Sequence, residues 1–139
     1  MAAQLQSVFL VRSEHLNHQG HLFGGDLMAE IDTVAFCLVR QVFGEQAFVT
    51  RAAEIGFERP AKLGDTIVFE ATLASTGRTS IRVDVAGLVK GHRICLARMV
   101  IYSAITAGQI TRVPSQEVAG LPVVRHGSEN RRLALPGQV

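Results

Sequence analysis

The stretch His15-Leu-Asn-His-Gln-Gly-His-Leu-Phe-Gly-Gly-Asp-Leu-Met-Ala-Glu-Ile-Asp32 decides how this chain folds. Its first half is polar and carries Asn17 and Gly20, the composition of a loop. Gly24-Gly25 closes the loop, and a helical pattern opens behind it. Leu27, Ile31, Val34, Leu38 and Val42 recur at spacings of three and four, one face of an α-helix, and Gly44 supplies the stop.

On a wheel of about 100° per residue the apolar arc holds Val34, Leu38, Leu27, Ile31, Val42, Ala35, Met28, Val39 and Phe43. Asp26, Glu30, Thr33 and Arg40 take the opposite arc. Asp32 does not join them; it falls between Val39 and Phe43, at one edge of the apolar face. A carboxylate among apolar neighbours costs several kcal/mol unless it is paired, hydrogen-bonded or partly wet. Asp32 therefore either sits at a rim and reaches water, or is a base or nucleophile in a partly dry cleft. The glycine pair has two readings as well. It is a sharp loop-to-helix turn, or it bares backbone N–H groups at a helix N-terminus, where an oxyanion is stabilised. Asp32 lies two turns further on, about 10 Å along the axis. A carbonyl on Gly25 is then served by the Asp32 of a neighbouring subunit or by a bridging water.

Outward from the helix the chain reads as strands. Ser7–Val11 precedes it, and 47–58, 66–75, 80–89 and 93–106 follow, with turns at Arg59–Asp65, Gly77-Arg78 and Lys90-Gly91-His92. In 47–58, Val49, Ala53, Ile55 and Phe57 are expected on one face. The last strand is apolar on both faces, which predicts a central or covered position. The order β-α-β-β-β-β predicts an α+β domain over 1–111, one helix against a curled antiparallel sheet of about five strands. Residues 112–139 hold three of the four prolines and read as an irregular tail.

Composition narrows the function. The 139 residues suit one domain, and 47% apolar with 19% charged residues is the balance of a folded globular protein. A net charge of +2 and the absence of Trp disfavour nucleic-acid binding. No apolar run is long enough for a membrane span, and the opening ten residues lack the form of a secretory signal. Cys37 and Cys95, far apart and both in apolar stretches, read as free thiols of a reducing, cytoplasmic compartment.

The 15–32 stretch resembles the signature of hot-dog fold acyl-CoA thioesterases: an Asn, a Gly three residues later, an aromatic before Gly-Gly, then a helix with an acidic residue. The matching positions are Asn17, Gly20, Phe23, Gly24, Gly25 and Asp32. Phe57-Glu-Arg-Pro-Ala-Lys-Leu-Gly-Asp65 and Gly77-Arg-Thr-Ser80 are similar to two further turns of that family, so the likeness spans about residues 7–108. It implies a helix wrapped by a five-stranded sheet, a dimer with sites at its interface, often a hexamer, and hydrolysis of acyl-CoA without metal or redox cofactor. By the same likeness the Gly24-Gly25 amides polarise the thioester carbonyl and Asp32 activates water or attacks. The family's usual Asp or Asn two residues before the aromatic-Gly-Gly is here His21, an imidazole that accepts a proton or positions substrate, with Asn17 beside it. Phe23, Thr50, Arg51, Arg78, Thr79 and Ser80 are the candidates for contacting substrate, the arginine for CoA phosphates.

Competing readings are weaker. His15, His18 and His21 form a triplet, but on a loop and without nearby Cys ligands, so no metal is expected. No Gly-x-Ser-x-Gly elbow and no Walker or dinucleotide motif occurs, and neither cysteine stands directly beside a His, so no cysteine nucleophile is expected. Two alternatives stay open: a hot-dog acyl-CoA hydratase or dehydratase, and a non-catalytic acyl-CoA-binding subunit.

Overall fold

Helix α1 spans Gly24–Phe43 in the computed structural model, which describes residues 3–114 and the backbone of residues 124–126. Its N-terminus is set by Phe23 in extended conformation, and its C-terminus by Gly44, whose φ of 90° ends the helix while its N–H bonds the Arg40 carbonyl. Eight α1 residues are buried: Leu27, Ile31, Val34, Ala35, Leu38, Val39, Val42 and Phe43. That is the apolar arc read from the sequence, save Met28 at its edge, which is 49% exposed.

The sheet covers this stripe. Strands β1 (Gln4–Leu10), β2 (Phe48–Phe57), β3 (Thr66–Thr76), β4 (Ile81–Val89) and β5 (His92–Thr106) are the five expected from the pattern. Two short ones join them, β6 (Gln109–Thr111) and β7 (Val124–His126). The order is β2-β5-β4-β3-β1-β7, with β6 also on β5; every pairing is antiparallel except β1 with β7. Strand β5 thus lies between β2 and β4, as its two apolar faces require. Two hairpins close with consecutive positive-φ pairs, Lys90-Gly91 and Ala107-Gly108, the backbone of a type I′ turn. The second hairpin, which creates β6, lacks the Asn-Gly signal that makes such turns visible beforehand. Of the expected 112–139 tail, residues 112–114 carry no regular element and Val124–His126 pairs with β1; the rest lies outside the described residues.

One expectation about β2 changes. Strict alternation puts Thr50 and Ala53 on opposite faces, yet the β2–β5 register breaks between Thr50 and Ala52 and again between Ala52 and Glu54. The first break adds a residue on β2 and the second one on β5, and each turns the strands locally. Strand β2 is also an edge, and eight of its ten residues are exposed.

The core is tight enough to test. A Cβ on Gly87 of β4 would stand 2.7 Å from the Cys95 sulfur and 3.2 Å from the Phe69 ring, both fully buried. Gly87→Ala is expected to cost about 1–3 kcal/mol by overpacking. Chemical denaturation measures it, and an unchanged midpoint would mean that β4 and β5 separate freely there.

Candidate active site

The loop before α1 is a small hairpin laid on the β2–β3 connection. Asn17 donates its N–H to the His21 carbonyl at 2.7 Å, and Gly20, at φ 77°, donates to the Asn17 carbonyl at 3.0 Å. The Asn17 Oδ1 accepts the amides of Gln19 at 2.9 Å and His21 at 3.2 Å. Leu22 donates to Ala61, and His21 bridges to Lys62. At the base, Phe23 donates to the His15 carbonyl, while the His15 ring packs on Phe9 and its Nδ1 accepts the Arg12 amide. His15 is thereby committed to the loop. Among the described residues no three His, Cys, Asp or Glu side chains converge as metal ligands would.

This loop delivers Phe23 to the helix start without a side-chain cap. The Phe23 carbonyl takes the N–H groups of Asp26 and Leu27, so Gly24 and Gly25 keep the two leading amides of the helix. Gly25 also makes room for an aromatic: a Cβ there would lie 2.5 Å from the Phe23 ring.

A cleft of about 390 Å³ opens between α1 and β2, lined by Gly25, Met28, Ala29, Ile31 and Asp32 of α1, Thr50, Ala53 and Ile55 of β2, and Val100 of β5. Gly25 and Asp32 thus share one cleft within one chain. The Asp32 side chain is exposed but anchored: its Oδ1 accepts the Tyr102 hydroxyl at 2.6 Å and the Thr50 hydroxyl at 3.1 Å. Tyr102 is fully buried, and burial together with the acceptor carboxylate pushes its phenol far above the ordinary tyrosine range.

The remaining candidates do not line the cleft. His21 is half-buried, and neither it nor Asn17 is among the cleft's lining residues. Phe23 and Arg51 are exposed, as are Arg78 and Thr79 on the β3–β4 turn. That turn is tied down by its backbone: Gly77 donates to the Ser80 carbonyl, Val113 to that of Arg78, and the Ser103 hydroxyl to that of Thr79. Both thiols are held protonated, Cys95 by burial that pushes it up to about 11 and Cys37 by burial and the nearby Glu30. Sequence reasoning missed Tyr102 altogether. The signal was the single tyrosine of the chain, opposite a carboxylate that needed a donor.

A long helix cupped by a curled antiparallel sheet is the architecture of the hot-dog class of proteins. The model of the Thioesterase superfamily matches residues 19–96, more than half of the chain, and the protein belongs to that family. An acetyl-coenzyme A thioesterase of Rattus norvegicus is 35% identical over 85 residues, 61% of this chain, though the chain spans only 15% of that relative. An acyl-CoA hydrolase from Staphylococcus aureus, solved with butyryl coenzyme A and coenzyme A, has the same fold at a TM-score of 0.70 and 23% identity, over 88% of this chain and 72% of that one. A hexameric broad specificity acyl-coenzyme A thioesterase matches at 0.69 and 24% identity, over 77% and 84%.

The loop geometry makes its own prediction. Asn17→Ala strips two amides of their acceptor and is expected to cost about 0.5–1.5 kcal/mol, whereas Asn17→Asp retains the acceptor oxygen for both amides and most of the stability. Thermal unfolding of the two variants side by side checks this, and equal losses would remove the loop-holding role.

Proposed function

We propose that the protein hydrolyses acyl-CoA thioesters to a free carboxylic acid and CoA. One observation carries this reading: Gly25, at the bare helix start, and the anchored Asp32 carboxylate line a single apolar-walled cleft. The thioester carbonyl points its oxygen at the Gly24 and Gly25 amides. There the helix N-terminus stabilises the charge that develops as the carbon becomes tetrahedral. About 10 Å of helix separates Gly25 from Asp32. Asp32 therefore acts through a bridging water from which it takes a proton, or the Asp32 of a neighbouring subunit activates the water or attacks the carbon itself. In both routes the carbon–sulfur bond breaks, CoA leaves as the thiol, and one water is consumed overall. Met28, Ile31, Ile55 and Val100 give the acyl group an apolar wall. His21 and Asn17 shape the loop that aims Phe23 and the amides. Thr50 steadies Asp32, and Arg51, Arg78, Thr79 and Ser80 are our candidates for the phosphates and pantetheine of CoA. Relatives named for acyl-CoA hydrolysis support the substrate class.

The same reading includes self-association. Strand β2 is a ten-residue edge, and its Val49 and Phe57 are 37% and 53% exposed, apolar groups on an unpaired edge that globular proteins normally cover. A second copy pairing there would also wall the cleft from the open side, and one similar structure is a hexamer. Acyl-CoA substrates and two free thiols suit a cytoplasmic location, and among the described residues no helix is long and apolar enough to cross a membrane.

Two measurements test these statements. Thiol release is followed with acyl-CoAs from acetyl to palmitoyl, phenylacyl forms included, for the native protein and Asp32→Asn. A drop of about a hundredfold or more with CoA affinity retained is expected. A folded native protein that binds CoA but releases no thiol from any of them would turn the assignment toward a hydratase or a binding subunit. Sedimentation at micromolar concentration should find a dimer or larger species; a monomer would remove the interfacial site.

A further inference from the structure

Tyr102 is the only tyrosine of the chain and, among the described residues, the largest fully buried side chain. A phenol buried to that degree requires a partner for its hydroxyl. It finds it on the helix: the hydroxyl stands 2.6 Å from Asp32 Oδ1 and 3.0 Å from the Asp32 carbonyl oxygen. The shorter contact, to the charged acceptor, takes the proton. Thr50 lies directly opposite Tyr102 in the β2–β5 register and donates to the same Oδ1 at 3.1 Å. Two cross-strand neighbours therefore converge on one oxygen of one carboxylate.

The two donors are not equivalent. Thr50 is exposed on an edge strand, whereas the Tyr102 ring is locked in the core, its centroid 5.9 Å from that of Phe36. We propose that Tyr102 is a positioning residue for the hydrolysis put forward above: it pins Oδ1 of Asp32 and leaves Oδ2 as the oxygen that acts on water or on the thioester carbon. The inference rests on that reading of the site and deepens it. An exposed carboxylate turns easily about its last side-chain bond, and a reacting group that samples several orientations loses rate through misalignment. The rigid phenol removes that freedom. Its protonated state is secure, because burial and the adjacent carboxylate both oppose ionisation.

A purely structural role gives a different expectation. If Asp32 serves only to satisfy a buried phenol, Tyr102→Phe removes the donor and the need for an acceptor together, and turnover is unaffected. With the positioning role, Tyr102→Phe lowers kcat by about tenfold or more, while KM for acyl-CoA and Kd for CoA stay within about twofold. In an Asp32→Asn background the same change adds no further loss, since the pinned oxygen pair is already gone. An unchanged kcat, or a loss that simply multiplies that of Asp32→Asn, overturns the proposal. Should Tyr102→Phe fold poorly by thermal unfolding, global replacement of this single tyrosine by 3,5-difluorotyrosine keeps ring and hydroxyl and alters only donor strength. Then kcat moves and KM does not, and an unmoved kcat overturns the proposal equally. A native protein that hydrolyses no acyl-CoA defeats the functional reading itself. That outcome is distinct from an active native protein indifferent to Tyr102.

Discussion

A single helix with one apolar stripe must be covered by a single sheet, and the rest of the structure follows from that constraint. Helix α1 has 20 residues, about 30 Å of length, and eight buried side chains along it. A flat sheet would touch such a cylinder along a line, so the sheet has to curl, and its strands have to be long. Strand β5 reaches 15 residues for this reason. Curling is achieved at register breaks, which add local twist. They gather on β5: opposite Thr50–Glu54 of β2 on one side and opposite Val83–Val85 of β4 on the other.

Those breaks also build the cleft. Met99 of β5 sits at φ 60°, an uncommon conformation for a residue with a side chain, and its N–H bonds Asp84 Oδ1 at 3.2 Å. The same carboxylate oxygen lies 3.4 Å from Arg82 Nε, so β4 secures the bend through its outer face. Beyond the bend Val100 lines the cleft and Tyr102 reaches Asp32. On β2 the matching break brings Thr50 and Ala53 to the same cleft. The distortion that wraps the sheet around the helix is thus what places both hydroxyl donors and part of the apolar wall.

Periodicity carries helices and strands well, because burial repeats with the backbone. Leu27 through Val42 and the alternation of Ile81, Val83 and Val85 were therefore legible, and so was Asp32 as a carboxylate out of place on its face. Gly24-Gly25 was legible as a bare helix start because glycine there has no side chain to hide the amides. Bulges are a different matter. An extra residue in a strand leaves no mark in a two-residue period, so the shared face of Thr50 and Ala53 was out of reach. The Asp32–Tyr102 contact joins residues 70 apart in sequence. It depends on which strand crosses the helix at that height, a tertiary fact that no local pattern encodes. Strand β6 hid for a third reason: Ala107-Gly108 adopts turn geometry that sequence usually announces with Asn or Asp.

Within one chain the carboxylate is fixed in orientation, but it stands two helical turns, about 10 Å, from the Gly25 amide and is open to solvent. Oxyanion stabilisation by backbone amides is strong only where water is excluded, because bulk water screens the developing charge as well as two N–H groups do. Yet Gly25 and Asp32 are both exposed, and so is the β2 wall of the cleft. The hydroxyls of Tyr102 and Thr50 fix where Asp32 points; they do not dry it. Drying requires cover from the β2 side, and the exposed apolar margin of that edge, together with Phe23 and Met28 at 55% and 49% exposure, lies where such cover would seat. Orientation is thus built into the fold of one chain, and desolvation falls to the self-association proposed above. This division explains why a carboxylate so firmly anchored nonetheless faces solvent when the chain stands alone.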